Sequence, residues 1–265
     1  MIDWQVYDFL EYDYTSPRYF LIINLCLFSI LMARYFLFSW VYHWFFKKRE
    51  PAKAQRLLVK GGLNRIQTLK EIKWSFIASL IFSVFTVLII IGWQNGIIKI
   101  YQDLHDYPLW MLPLSLVSIL LLQETYYYWL HRWMHKPKVY RLIHKTHHDS
   151  IHTSAFTSFS FHPVESLLQA LYLPVVLTIV PTYFYLVLFL LIIMTVAATI
   201  NHAGVEVYPS GRLGKWMGNW LVGSTHHHIH HTKFRYNFGL YFTFWDRWMK
   251  TENEDFKENY QEIIK

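Results

Sequence analysis

Charge is scarce in this chain. Only 16% of its 265 residues are Asp, Glu, Lys or Arg, and 54% are apolar, where a soluble globular domain carries about a quarter charged residues. That balance excludes an ordinary water-soluble domain. Cysteine is almost missing: Cys26 stands alone, inside an apolar run, so an internal disulfide and a cysteine-rich zinc module are both excluded. Any metal must be held by nitrogen and oxygen. Phosphate cradles are lacking too. "GGLN" and "GRLGKWMG" contain glycine, but neither has the strand–loop–helix setting such a cradle needs, and both read as turns. The opening "MIDWQVYDFLEYDY" is acidic and has no basic start of the signal-peptide kind. Aromatics, by contrast, reach 19%, and many flank the apolar runs, as at membrane–water interfaces. The net charge of +7 falls between those runs. Anionic lipid headgroups suit that placement, and nucleic acid does not.

Four apolar stretches stand out. Residues 19–46 form the first, broken by Arg34, which is expected to snorkel toward the cytoplasmic interface. Residues 74–93 carry no charge and have a tryptophan at each end, matching the roughly 20 residues that cross a bilayer. Residues 108–130 contain one acid, Glu124. Residues 167–200 exceed one crossing and hold Pro174 and Pro181, which predicts a hairpin turning near Pro181. The segment 47–73 has many more lysines and arginines than acids, and 131–148 is basic again. The positive-inside rule places both in the cytoplasm and the N-terminus outside. The expected fold class is all-α: a multi-pass integral membrane protein of about four transmembrane helices, the last pair a hairpin, under a cytoplasmic histidine-rich helical cap. Three units follow: membrane helices with a basic loop over 1–123, a histidine domain over 124–250, and a charged tail over 251–265, read as a solvated helix or frayed end.

Fifteen histidines are present. His43 and His105 stand alone, without an assigned role. The others concentrate in the cytoplasmic segments. "HRWMH" sets His131 and His135 four apart, one helical turn on one face. "HKTHH" supplies His144, His147 and His148, and "HHHIHH" repeats the spacing at His227, His230 and His231, with His226 and His228 extra. Adjacent histidines can serve two neighbouring metals. Three such clusters exceed what one zinc ion uses, four ligands or three and a water, and so suggest two metals. Imidazole suits iron, zinc and copper alike. A nitrogen-rich two-metal site beside apolar spans points to oxygen activation by non-haem iron on lipids.

These three clusters resemble the histidine boxes of the membrane fatty acid hydroxylase / sterol desaturase superfamily. "ETYYYWLHRWMH" is similar to that family's approach to its first box, "FHPVE" follows the second at the family's distance, and "NFGLYFTFWDRWMKT" resembles the stretch after the third. "SFSFHPVE" and "NFGLYFTFWDR" lean toward the sterol C5-desaturase branch. The resemblance implies two irons, O2 as co-substrate, a lipid substrate in the membrane and a separate electron-donor protein. It implies His131, His135, His144, His147, His148, His227, His230 and His231 as ligands, with His202 of "INHAGVE" and His162 of "FHPVE" added.

Three acids are candidates beside the metals. Glu124 lies seven residues before His131 on the same helical face. It either orients a metal-bound histidine or forms a salt bridge between helices. Glu206 reads as a ligand or a partner of one. Asp246 reads as a partner of a histidine or of Arg247. No flavin, nicotinamide or haem motif is present, so electrons have to arrive from a partner on the cytoplasmic side. A metal transporter would place ionisable groups near the bilayer midplane, where these spans have almost none. A zinc hydrolase would not need so many histidines.

Overall fold

The computed structural model describes residues 11–49, 56–59 and 63–265. The first ten residues and much of the basic loop, including Gly61 and Gly62 of "GGLN", fall outside the described residues. Helix α1, Pro17–Tyr42, starts at Ser16, whose hydroxyl accepts from the Tyr19 N–H, with Pro17 in its first turn. Helix α2, Arg65–Gln94, starts at Asn64, whose side chain accepts from the Ile66 and Gln67 amides. On α2 the small residues Ser75, Ala78, Ser79 and Ser83 are buried, while Phe76, Leu80 and Leu88 are exposed. Small residues facing inward and large apolar ones outward is the arrangement of helices packed within lipid.

Strand β1, Ile100–Tyr101, comes next. Helix α3 follows over Met111–Met134. The first arm of the hairpin comprises α4, Pro163–Ala170, and α5, Tyr172–Ile179, which follow each other through Leu171. A turn at Pro181 leads through strand β2, Thr182–Tyr183, into α6, Phe184–His202. Two parallel pairs, Ile100 with Thr182 and Tyr101 with Tyr183, tie the loop after α2 to that turn. The expected turn at Pro181 is present. Pro174 sits in the first turn of α5, where a missing N–H costs little, and the interruption expected of it falls at Leu171, between α4 and α5.

Three described helices are long and apolar enough to cross a membrane, Pro17–Phe46, Arg65–Gln94 and Phe184–His202. The chain is an integral membrane protein. Helix α3 is not among the three, because its second half carries Gln123, Glu124, three tyrosines and His131. Arg34 also departs from expectation. Its Nη1 donates to the Leu191 carbonyl of α6 at 3.2 Å rather than snorkelling to the interface.

Beyond the hairpin, α7, Gly211–Trp220, is formed by "GRLGKWMG", which is therefore a helix and not a turn. Gly218 lies so close to the Tyr260 ring that a Cβ would stand 2.2 Å from it. Helix α8, Ser224–Lys233, holds the last histidine cluster. Helix α9, Phe256–Ile263, corrects the reading of the tail as solvated or frayed. Phe256, Tyr260 and Ile264 are buried against Tyr208 and Ile229 in one apolar cluster. The charges of "ENEDFKENYQE" fall on the opposite face and conceal that stripe. A second cluster, including Ile89, Ile119, Leu177 and Leu190, joins α2, α3, α5 and α6.

Candidate metal centre

Four stretches deliver imidazoles to one buried place. Helix α3 ends with His131 and its C-cap His135. A wide π-helical turn, Tyr140–His144, runs into the short helix Lys145–His148. Helix α6 ends at His202, and α8 contributes His227, His230 and His231. They form two groups. His131, His135, His144, His148 and His230 make the first, and His147, His202, His227 and His231 the second. Within each group the available ligand atoms all lie within 4.8 Å of one another. Neighbours in sequence go to different groups: His147 parts from His148, and His230 from His231.

Hydrogen bonds fix which nitrogen carries the proton. His131 Nδ1 donates to Phe238 O at 2.9 Å, His230 Nδ1 to Tyr236 O at 2.8 Å, His147 Nδ1 to Ser160 O at 3.2 Å and His202 Nδ1 to Ala198 O at 2.7 Å. A carbonyl only accepts, so each of these imidazoles keeps its proton on Nδ1 and a bare lone pair on Nε2. Yet His147 Nε2 and His202 Nε2 stand 3.2 Å apart. Two lone pairs at that distance repel. His131 Nε2 and His144 Nε2 stand 3.1 Å apart, and they meet the same way when Glu165 is ionised and accepts from His144 Nδ1 at 2.9 Å. A cation shared by the facing nitrogens removes the conflict. Two nitrogens each about 2.1 Å from one first-row metal stand roughly 3 Å apart, which is the spacing found. The donor set thus fits a pair of metal ions. Burial, reinforced by the neighbouring imidazoles, holds His144, His147, His148, His227, His230 and His231 well below the ordinary histidine value. They are neutral, the form that binds metal.

Among the proposed ligands His162 is the exception. It lies outside both groups, and its Nδ1 accepts from the Val164 amide at the start of α4. The Pro163 that follows it sets up that helix start and keeps the ring at the helix end. His226 is fully buried, with neither ring nitrogen hydrogen-bonded, and its Nε2 stands 3.8 Å from Asp246.

The three acids are buried, and each holds backbone. Glu124 accepts from the Leu240, Tyr241 and Phe242 amides, and Asp246 from those of Phe238 and Gly239. Together they clamp the loop whose Phe238 carbonyl receives His131. Glu124 neither touches a histidine nor forms a salt bridge among the described residues. Glu206 accepts from the Thr225 amide and hydroxyl at the start of α8, where a carboxylate suits the helix dipole. It anchors the helix that carries the last cluster.

Sequence reasoning missed Glu165. It is fully buried and is, among the described residues, the one carboxyl bonded to a histidine of the two groups. The signal was present in "FHPVE": an acid in the first turn of a helix opened by proline, close after the second cluster. Burial pushes the Glu165 carboxyl well up, and a cation on the far nitrogen of His144 would favour its ionised form. Glu165→Gln therefore weakens metal retention by about 10- to 100-fold, read as metal lost during dialysis against a graded chelator. Retention equal to wild type would show that the carboxylate charge is idle.

An apolar cavity of about 170 Å³ leads to the second group. Leu31, Phe82, Phe85, Ile89 and Met194 line it, as do His202 and His227.

A family model described as "Fatty acid hydroxylase" matches residues 116–251, half of the chain, with all nine grouped histidines inside it. The chain belongs to the fatty acid hydroxylase family. Within that family it is similar to human lathosterol oxidase, 33% identical over 183 residues, which are 68% of this chain and 60% of the relative. It is also similar to the Delta(7)-sterol 5(6)-desaturase of Gibberella zeae, 28% identical over 182 residues, 69% of this chain and 55% of the relative. The Saccharomyces cerevisiae desaturase of the same name is 31% identical over 187 residues, 68% and 48% respectively. The chain thus spans about 60% or less of the length of these relatives. They fall on the sterol C5-desaturase side of the family, to which "SFSFHPVE" and "NFGLYFTFWDR" were compared. No solved structure matches the chain.

Proposed function

We propose that this member of the fatty acid hydroxylase family is an O2-dependent di-iron oxidoreductase that hydroxylates or desaturates a sterol-like membrane lipid. The observation that carries this reading is the convergence of nine neutral histidines, eight of them buried and His135 half-buried, in two groups beside an apolar cavity that His202 and His227 line. Iron bound there supplies, with O2 and electrons, the power to oxidise an unactivated C–H bond. His131, His135, His144, His148 and His230 would hold one ion, and His147, His202, His227 and His231 the other. The chain's own contribution is positional. Backbone carbonyls and Glu165 fix the ring tautomers, the clamped 238–242 loop closes the site on one side, and the cavity excludes water and aligns the lipid.

Electrons come from a separate donor protein. The histidine cap faces the cytoplasm, with the N-terminus outside, an orientation supported by the basic stretches flanking the apolar runs. Names of the relatives favour a polycyclic lipid over a simple acyl chain. The test compares lipids from a deletion strain with those from the same strain complemented by wild type or by His147→Ala. Restoration by wild type alone of an oxidised polycyclic lipid is the expected result. Loss of a hydroxylated fatty acid with unchanged polycyclic lipids would overturn the substrate.

A further inference from the structure

Arg34 stands where an arginine is costly. It lies inside the first membrane helix, and a charge at that depth is retained only for a partner or a function. Its one bond among the described residues is Nη1 to the Leu191 carbonyl, an oxygen that also accepts from Thr195 Oγ1 at 2.9 Å. Its Nε is buried with no partner. A guanidinium offers five donors in a planar fork that matches a carboxylate. Arg34 lines the apolar cavity, and no carboxylate occurs among that cavity's lining residues.

The cavity has a direction. Leu191, Met194, Thr195, Ala198 and His202 all line it, and their spacing of three and four puts them on one face of α6. Leu191 and His202 are eleven residues apart on that helix, about 16 Å of axis. The cationic end and the metal-ligand end are therefore opposite ends of one apolar passage. A lipid ending in hydrocarbon would leave unsatisfied N–H donors against its tail. A lipid ending in an oxyanion would satisfy them in the low-dielectric setting where charge-assisted bonds are strongest.

We propose that the lipid taken by this chain carries a carboxylate at the end remote from the carbon oxidised, and that Arg34 binds it. The inference rests on the proposed oxidase reading for the identity of the other end. It narrows the substrate to an acidic lipid, a feature absent from the names of the sterol-oxidising relatives.

The test needs no turnover. The full chain, loaded with metal in neutral-lipid nanodiscs, is titrated with a fluorescent conjugated-polyene fatty acid and, separately, with its methyl ester. The acid binds wild type about tenfold tighter than the ester. Arg34→Leu equalises the two, Arg34→Lys retains a preference for the acid, and metal content is unchanged in both variants. Equal binding of acid and ester by wild type would overturn the proposal without any variant. A preference that survives Arg34→Leu would overturn it as well. The two readings fail separately: a wild type without metal but with an intact acid preference sinks the oxidase reading alone, and a metal-loaded, active enzyme indifferent to the carboxylate sinks this one alone.

Discussion

His147→Ala and His230→Ala each reduce lipid oxidation to below about one per cent of wild type, and each lowers the metal content from two ions per chain toward one or none. The residues belong to different groups, His147 to the second and His230 to the first. His147 Nε2 stands 3.2 Å from His202 Nε2, and His230 Nε2 stands 3.0 Å from His148 Nε2, so alanine deletes a proposed ligand from each cluster. Loss of a residue that merely orients a ligand costs about 10- to 100-fold in metal affinity or activity; loss of a ligand costs more. Membrane insertion is unaffected, because neither side chain belongs to the apolar surfaces of α1, α2 or α6. The check is elemental analysis of each purified variant beside its activity and its yield in the membrane fraction. A variant that keeps both metals and full activity would remove its residue from the site.

Glu124→Leu causes the largest loss of stability. The Glu124 carboxylate accepts from Tyr241 N at 2.6 Å, Phe242 N at 3.1 Å and Leu240 N at 3.2 Å, and it is fully buried. Leucine fills similar space but accepts nothing. Three amides, that of Tyr241 buried and those of Leu240 and Phe242 partly buried, are left unsatisfied, at about 1–3 kcal/mol each, for a total of roughly 3–6 kcal/mol after some relaxation and solvent access. That is a large fraction of the net stability of a typical domain. The loop also carries Phe238 O, the acceptor for His131, so metal retention falls with it. Glu124→Gln keeps one acceptor oxygen and costs less. Thermal unfolding in detergent, followed by tryptophan fluorescence, orders the three proteins wild type, Gln, Leu. A Glu124→Leu protein that melts with wild type would show that water or another group serves those amides.

Local periodicity carried the legible part of the site. "HRWMH", "HKTHH" and "HHHIHH" place their imidazoles by helical spacing alone, and every ligand proposed from those three clusters lies in a group. The hairpin turn was legible because proline at position 181 cannot continue a helix. Long-range polar contacts were not legible. Glu124 reaches a loop 116 residues away, and no spacing rule reports that a carboxylate will cap backbone amides rather than a histidine. Glu206 was placed at the metals for the same reason, since its actual partner, the start of α8, is distant in the chain. The tail misled through composition: its charges outnumber Phe256, Tyr260 and Ile264, although those three at helical spacing decide that the segment packs. His162, implied by family likeness alone, lies outside both groups and meets a helix start through the Val164 amide.

Two irons held by the nine histidines for oxygen chemistry leave a signature in both metal content and gas consumption. Its most direct measurement is elemental analysis of the protein purified without oxygen, followed by dioxygen uptake on adding reductant and membrane lipid. The expected result is about two irons per chain and uptake that requires the lipid and vanishes in His147→Ala. Protein with no transition metal, or with zinc alone and no dioxygen uptake after iron is supplied, would contradict it.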